Sequence, residues 1–537
     1  MGCSLFFVRL PDPSYRRFPG FPSDLLKEMG KSETANVESS EVPEGDFVEL
    51  NISAVAHGGH CVARIGDGPD AGRVVFVRHA LPGERVLAQI TSRGKIWRAD
   101  ALAVIGEESP FRVPTAWPEA GPGGVGGGEL AHVSRVGQRR WKAAIIAEQL
   151  RQLGSTDVSA IAPELAVSTR NLSAIPDTLP TGRAGSDDRS LGAVRLGVED
   201  VGGESGYRTR IDLDVNAQGR VGMKKHRSHE IQPLKSMPLA TAELQALSER
   251  IGLWDRQWPP GARLKLVAPS GGEPPRLYVN GRLWHDDGGA PESSKTTPSN
   301  ARRTGRNREA VSSGSADLTT EIVTANGESY RYQIPATGFW QVHQNAPAWL
   351  VETVLAAAQV SPGDKVLDLY AGSGLFAVPL AIVVGEKGQL IAVEGAKAAA
   401  SAARANLGRF PYAQVLTGDV AQVLGKLLTG GKSAFDTRTA TRGAVANTTN
   451  TADSPVANDS WDCVVLDPPR VGAGRGVCKQ ITQLEPHRIV YVACDPAALA
   501  RDVGFLRNLG YRLTALKAAD LFPMTHHMEA VATLTKT

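Results

Sequence analysis

One thiol and one carboxylate near the end of the chain, Cys494 and Glu529, are the residue types that a nucleophile and an acid/base partner require. Cys494 closes the run Tyr491-Val492-Ala493-Cys494-Asp495-Pro496. That run follows the apolar Arg488-Ile489-Val490 and reads as a buried strand stopped by proline. A thiol at the carboxyl end of a strand in an open α/β sheet faces the crevice where such folds bind ligands. An arbitrary cysteine is more often a small buried hydrophobe, so its neighbours must decide. Glu529 opens a later strand, Glu529 to Leu534. His526 and His527 precede it; adjacent side chains on a strand point apart, which favours pocket or core roles over metal binding.

A second group of residues could hold a nucleoside cofactor. Lys365 to Tyr370 runs into Ala371-Gly372-Ser373-Gly374 and then a helix from Leu375. Glycines at such a turn let backbone amides approach a ligand, and the helix presents its positive end. Gly372, Gly374 and Ala377 also fit the dinucleotide pattern G-x-G-x-x-A, so the loop alone leaves NAD and S-adenosylmethionine both open. Glu394 ends the next strand, twenty residues after Gly374, where a carboxylate can accept both hydroxyls of a ribose. Asp467-Pro468-Pro469-Arg470 closes a further strand; it is a turn in the plain reading, and otherwise an acid facing the cofactor's reactive end. With a methyl donor the thiol and carboxylate acquire a task. A thiolate added at C6 of uracil makes the ring an enolate whose C5 attacks an electrophilic methyl group, and a base then removes the C5 hydrogen so that the thiolate leaves.

The elements that must position these groups follow from periodicity. Strands at Lys365 to Tyr370, Gln389 to Val393, Ala413 to Leu416, Trp461 to Leu466, Arg488 to Ala493, Tyr511 to Leu516 and Glu529 to Leu534 alternate mostly with helical runs, which predicts a doubly wound sheet. Phe47 to Ile52, Cys61 to Ile65, Val74 to Val77, Arg85 to Thr91 and Ile96 to Val104, separated by Gly and Pro turns, have the rhythm of a five-stranded oligonucleotide-binding barrel. There Arg93, Lys95 and Arg98 surround Trp97, as an RNA contact needs, although an anchoring tryptophan on a solvated strand would look the same. Between barrel and sheet lie a Gly-rich segment ending in Gly126-Gly127-Gly128, a basic amphipathic helix from about Gly137 to Leu153, and the strand Tyr207 to Leu213. The expected division is a disordered tail 1–43, a barrel 44–107, a central α+β RNA-binding domain 108–335 with a disordered insertion 284–318, and a cofactor-binding α/β domain 336–537 with a low-complexity loop 430–459.

Five cysteines, none in a C-x-x-C spacing, exclude a disulfide scaffold and give no zinc signature; they fit a reducing cytoplasm. No apolar run approaches the length of a membrane span, and Phe6 stands where an N-terminal myristoylation signal needs Ser or Thr. A net charge of +3 permits a nucleic-acid partner without arguing for one.

At Phe339-Trp340-Gln341-Val342, Asp368-Leu369-Tyr370-Ala371-Gly372-Ser373-Gly374, Leu466-Asp467-Pro468-Pro469-Arg470, Tyr491 to Pro496, and Asp520 to Glu529 the chain resembles the RNA uracil-C5 methyltransferases, which form 5-methyluridine in tRNA or ribosomal RNA. The resemblance runs from about residue 45 to the end and implies a TRAM-type barrel, a class I (Rossmann-like) methyltransferase domain and S-adenosylmethionine as cofactor. It also implies cofactor contacts at Gln341, Tyr370, Glu394 and Asp467, with Cys494 as nucleophile and Glu529 as base. Asp419, after the third strand of the sheet, is added as a partner for the adenine amino group. Two departures stand out. Many members hold an iron-sulfur cluster, but Trp117-Pro118 through Gly128 contains no cysteine, so no cluster is expected and the segment should be looser. His343 replaces an Asn frequent in the family.

For RNA access, Arg93, Lys95, Arg98, Arg208, Arg210, Lys224, Lys225 and Arg227 are expected to form a basic cradle, with the uridine leaving its stack to reach Cys494. The expected protein is a cytoplasmic monomer with RNA as partner, no metal and no membrane. A cytosine-C5 methyltransferase, an NAD oxidoreductase and a noncatalytic RNA-binding protein are the alternatives. The first usually carries a cysteine in the motif that Asp467 opens here, the second leaves Cys494, Glu529 and the barrel unused, and the third leaves Cys494 and Glu529 without a task.

Overall fold

The computed structural model describes residues 46–115, 117–156, 172, 197–203, 205–285, 317–429 and 460–537. The expected tail, the body of the insertion 284–318 and the loop 430–459 lie outside the described residues.

Strands β1 (Phe47–Ala56), β2 (His60–Arg64), β3 (Val74–Arg78), β4 (Arg85–Arg93) and β5 (Trp97–Val104) close into a barrel in the order β1-β2-β3-β5-β4. Leu50, Ile52 and Val55 of β1 face its interior. A bulge between Ile52 and Ala54 bends β1 so that its first half pairs with β4 and its second with β2. Gly58 and Gly59, both with positive φ, turn the chain from β1 into β2.

Helix α1 (Arg135–Gln152) begins at Ser134, whose Oγ accepts from the Gly137 amide. Its basic residues do not form the solvated face that their number suggests. Arg139 and Lys142 are buried, paired with Asp200 and Asp520. After β6 (Val198–Glu199) come β7 (Arg210–Val215), β8 (Val221–Lys224), β9 (Ile231–Pro233), α2 (Ala242–Arg250), β10 (Arg263–Val267), β11 (Arg276–Val279) and β12 (Arg282–Leu283). These strands, β6 apart, make an antiparallel sheet in the order β12-β11-β10-β7-β8-β9. The hairpin β13 (Leu318–Ala325) and β14 (Glu328–Pro335) puts Val323, Tyr330, Tyr332 and Ile334 into one core with Leu350, Val351 and Val354 of α3 (Ala346–Ala358). Packing therefore crosses the boundary drawn between 335 and 336.

The large sheet contains β15 (Lys365–Leu369), β16 (Gln389–Glu394), β17 (Ala413–Thr417), β18 (Cys463–Leu466), β19 (Arg488–Ala493), β20 (Tyr511–Ala519) and β21 (Glu529–Lys536). Its order is β17-β16-β15-β18-β19-β21-β20-β6. The first five strands are parallel and β21 runs against them. Helices α4 (Ala377–Val384), α5 (Lys397–Leu407), α6 (Val420–Leu428), α7 (Gly474–Gln483) and α8 (Pro496–Asn508) connect the strands. Strands covered on both faces have to be apolar throughout, as Val366, Leu367 and Leu369 or Ile489 to Ala493 are. The order reverses between β15 and β18, which opens the crevice. β6, from the central region, completes the far edge by pairing Val198 and Glu199 with Ala518 and Ala519. There Glu199 accepts the Trp349 indole N–H at 2.7 Å.

Candidate active site

Strand register brings the expected site together. Leu369 pairs with Val393 on one side and Leu466 on the other, and Leu466 pairs with Tyr491. Tyr370, Glu394 and Asp467 therefore stand side by side at the carboxyl ends of β15, β16 and β18, and Cys494 follows the end of β19, two residues beyond Val492, which is level with Asp467. Between β19 and β21 the last antiparallel pair is Ala493 with Ala530. One step further, Cys494 lies opposite Glu529.

Burial dominates the electrostatics. It pushes the Cys494 thiol up to about 12, helped by the charges of Glu529 and Asp467 and opposed by Arg470. Asp467 rises to about 7 through burial, and Glu529, 3% exposed, rises well above the carboxylate range through burial and then Asp467. The two carboxyls titrate as a pair. At neutral pH the thiol holds its proton, Glu529 is pushed the same way, and Arg470 is the cation that favours proton release from both.

The Gly372 loop fits a cationic nucleoside cofactor. Gly372 (φ +56) and Gly374 (φ +93) occupy the left-handed region, and open space lies where a Cβ on Gly372 would stand. Glu394 accepts the Gly372 amide at 2.9 Å and the Ala396 amide at 2.6 Å, which fixes its carboxylate at the pocket while leaving a lone pair on each oxygen. Asp419 caps α6 by accepting from the Gln422 amide at 3.0 Å. Gln341 is buried and Tyr370 half-buried. Beneath the loop Asp368 is fully buried, and burial, then Asp467 and Glu394, raise it well above the carboxylate range, opposed by the Ala377 amide. Sequence reasoning gave Asp368 no role; its signal was a lone acid inside the apolar run Val366 to Leu369.

Supports reach the site from three directions. Asp502, buried on α8, accepts from the Tyr491 hydroxyl at 2.7 Å and from the Ala473 and Gly474 amides at 2.7 and 3.0 Å, which anchors the loop carrying Arg470. The loop before Glu529 is clamped by the central region. Lys142 pairs with Asp520 and donates to the Phe522 carbonyl at 3.1 Å, Tyr207 donates to the Pro523 carbonyl at 3.0 Å, and Gln138 accepts the Met524 amide at 2.7 Å. From the barrel, the His57 Nε2 lies 3.3 Å from Asp495, the residue after Cys494. Nothing in the sequence signalled His57. His527 sits 3.4 Å from Arg470, and His526 faces Glu129 at 3.7 Å. Among the described residues no group of three or more His, Cys, Asp or Glu side chains could hold a metal ion. Phe339, two residues before Gln341, and Val471, next after Arg470, are 76% and 74% exposed.

The expected RNA cradle is only partly assembled. Arg98 and Arg227 lie within electrostatic reach of each other, Arg98 helping to lower Arg227. Arg93 does not join them: it shares a face of the ribbon with Trp97 while Arg98 takes the other, and it pairs with Asp46 at 2.6 Å; Lys95 is exposed in the turn between β4 and β5. Trp97 is buried, and the guanidiniums of Arg73 and Arg93 lie 4.7 and 4.6 Å from its ring, so it anchors the barrel and leaves no ring face free for a base. Arg210 has to be removed from the cradle: it is 3% exposed, pairs with Glu321 at 2.6 Å and donates to the Ala336 carbonyl at 2.9 Å, a joint between β7 and β13. Lys224 and Lys225 pair with Asp214 and Glu230, and Arg208 is half-buried over Tyr207. His343 is fully buried, stacked on Tyr207 at 5.0 Å, accepting from the Asn345 amide and facing the Gly202 carbonyl. It is not available to a target base.

The residues of the Gly-rich segment do not fit an iron-sulfur cluster. Trp117, Ala120 and Val125 are buried in one apolar core with Met237, and a Cβ on Gly128 would stand 2.5 Å from that of Ala120 and 3.1 Å from the Trp117 ring. The segment expected to be loose is instead tightly packed.

A profile of the tRNA (Uracil-5-)-methyltransferase family matches residues 302–537, and a TRAM domain profile matches residues 41–93. An uncharacterized RNA methyltransferase of Streptomyces coelicolor is 35% identical over 494 residues, covering 91% of this chain and 93% of its own. The 23S rRNA (uracil(1939)-C(5))-methyltransferase of Psychrobacter arcticus is 26% identical over 553 residues, with 94% of each chain covered. Among solved structures, Pyrococcus abyssi tRNA (uracil-54, C5)-methyltransferase in complex with S-adenosyl-L-homocysteine shares the fold, with a TM-score of 0.53 at 19% identity over 90% of this chain and 99% of that one. The chain belongs to the RNA uracil-C5 methyltransferase family, as an S-adenosylmethionine-dependent enzyme with a TRAM barrel.

Proposed function

We propose that the enzyme methylates C5 of a uridine in tRNA or ribosomal RNA through a covalent bond between the Cys494 sulfur and uracil C6. The register that sets Cys494 opposite Glu529, beside Asp467 and Arg470, carries this reading. Gly372, Gly374, Glu394, Asp419, Gln341, Tyr370 and Asp467 are proposed to hold the cofactor, which supplies an electrophilic methyl group and a sulfonium charge. In the chemical step Cys494, having lost its proton to solvent, bonds to C6, and the C5=C6 electrons move onto the ring as an enolate whose C5 would take the methyl group as its bond to the donor's sulfonium sulfur breaks and leaves a neutral thioether. Ionised Glu529 then removes the C5 proton, the double bond re-forms, and Cys494 leaves as thiolate.

The Trp117 core supports an enzyme without an iron-sulfur cluster. No helix among the described residues is long and apolar enough to cross a membrane. We place the protein in the cytoplasm as a monomer; the cysteine spacing supports a reducing compartment.

The test is incubation with methyl-labelled S-adenosylmethionine and RNA from cells lacking the protein, followed by nucleoside analysis. Labelled 5-methyluridine is expected, and the RNA fraction that carries it names the substrate class. Cys494→Ala should give none, and Glu529→Gln should accumulate a protein–RNA adduct that survives a denaturing gel. Product from Cys494→Ala would overturn the covalent route, and labelled 5-methylcytidine would overturn the base assignment.

A further inference from the structure

Five side chains with cationic or imidazole heads act on one another at the seam between the barrel and the central region: the facing rings of His60 on β2 and His226 in the turn after β8, and, within electrostatic reach of His60, Arg78 on β3, Arg98 on β5 and Arg227 in the same turn. The His226 amide donates to the Gly124 carbonyl at 3.0 Å, which ties that turn to the Gly-rich segment, and Arg227 takes a φ of +55 within it. His60 and Arg78 are 5% and 4% exposed. Even so, the Nε2 atoms of His60 and His226 and the Nε atoms of Arg78 and Arg98 have no hydrogen-bond partner. The two imidazole rings are 6.4 Å apart. Burial, then Arg227 and Arg78, push His60 down to about 3, and burial, then Arg78, push His226 down to about 4. Both rings are therefore neutral at physiological pH, each with one N–H to donate.

Among the described residues, negative charge is scarce there. Asp100 Oδ1 is 3.9 Å from the Arg78 Nε, and Asp100 Oδ2 already accepts the Gly123 amide at 3.2 Å. Arg78 also reaches the His79 Nε2 at 3.0 Å. Glu129, the other carboxylate acting on His226, faces His526. Three guanidiniums against one shared carboxylate repel one another, and donors left unpaired under burial are costly unless an anion completes them.

We propose that this seam grips a phosphodiester of the RNA backbone beside the target uridine. The position follows from the β1–β2 turn. His57 touches the residue after Cys494, and His60, three residues on, lines the seam, a span of at most about 10 Å along the chain. The guanidinium forks and imidazole N–H groups match phosphate oxygens, which makes the seam a positioning site and not a reader of sequence. The proposal rests on RNA being the substrate.

The test uses the full-length Cys494→Ala protein, a labelled oligouridylate and a salt titration. Arg227→Gln and Arg98→Gln, at less buried positions than Arg78, are expected to weaken binding several-fold and each to lower the slope of log affinity against log salt by about one. Arg282→Gln, on exposed β12, should change neither. In the protein with Cys494 intact, Arg227→Gln should raise KM for RNA from cells lacking the protein and leave kcat unchanged. Unchanged affinity and slope in both seam variants overturn the site. If inorganic phosphate raises the melting temperature of the parent but not of Arg227→Gln while RNA affinity is unaffected, the seam binds free anions and the RNA assignment falls. Nucleoside analysis separates this from the chemistry: a labelled product other than 5-methyluridine sinks the function reading and leaves the binding result standing.

Discussion

With Cys494 and Glu529 both pushed toward their protonated forms, the site has to shed protons before it can act, and Arg470 assists both losses. Removing that charge lifts the thiol and the carboxyl further. Arg470→Gln is therefore expected to move the rising limb of the pH–rate profile to higher pH with little change in cofactor affinity; an unmoved limb would mean that Arg470 does not act on the reacting pair. Glu529 has a second consequence. Its folded pKa lies above the unfolded value near 4.5, so its contribution to stability is complete below that value and is lost as pH rises through the folded pKa. Glu529→Gln should melt higher than the parent at neutral and alkaline pH, with the gap closing below pH 4.5 in thermal scans. The active site is, on this account, a place where stability is given up for chemistry.

At the scale of elements, the loop from Asp520 to Glu529 takes its shape from outside its own sheet. Lys142→Met would leave Asp520 buried without its partner, and a loss of about 3–5 kcal/mol is expected in denaturant titrations. Adding Asp520→Leu should recover much of that loss, while activity stays low because the Lys142 bond to the Phe522 carbonyl is still missing. Recovery of full activity in the double variant would show that Glu529 does not depend on this clamp. These elements also mark how far the sequence could be read. The alternation in the barrel and the apolar runs of β15 to β19 set strand positions to within a residue or two, because period and burial are local properties; the exception is β1, which runs on four residues past Ile52 beyond a bulge that breaks the alternation. The glycine turn and the strand-end acids were legible for the same reason. Arg210, Lys142 and His343 were not, since a buried charge or ring looks like an exposed one until its distant partner, Glu321, Asp520 or Tyr207, is known. His57 was hidden likewise: only docking of the barrel brings it to Asp495.

Across the whole molecule, barrel, central region and large sheet converge on one crevice. The barrel contributes His57, the central region grips the Glu529 loop, and the sheet supplies Cys494. The apolar core around Trp117 holds the segment that links the first two. Protein purified in air is expected to contain no stoichiometric iron and to lose no activity to chelators, whereas Trp117→Ala should cost about 3–5 kcal/mol of stability. Iron at one cluster per chain would refute that picture. β6 carries a different consequence. Val198–Glu199 leaves the ribosome long before Tyr511–Ala519, the strand beside which it finishes the sheet. During synthesis this short segment must stay unpaired while the sheet is still being made, and the last edge of the sheet can close only once the carboxyl-terminal strands have emerged. An interrupted translation product would thus lack the strand that Val198–Glu199 needs as its partner.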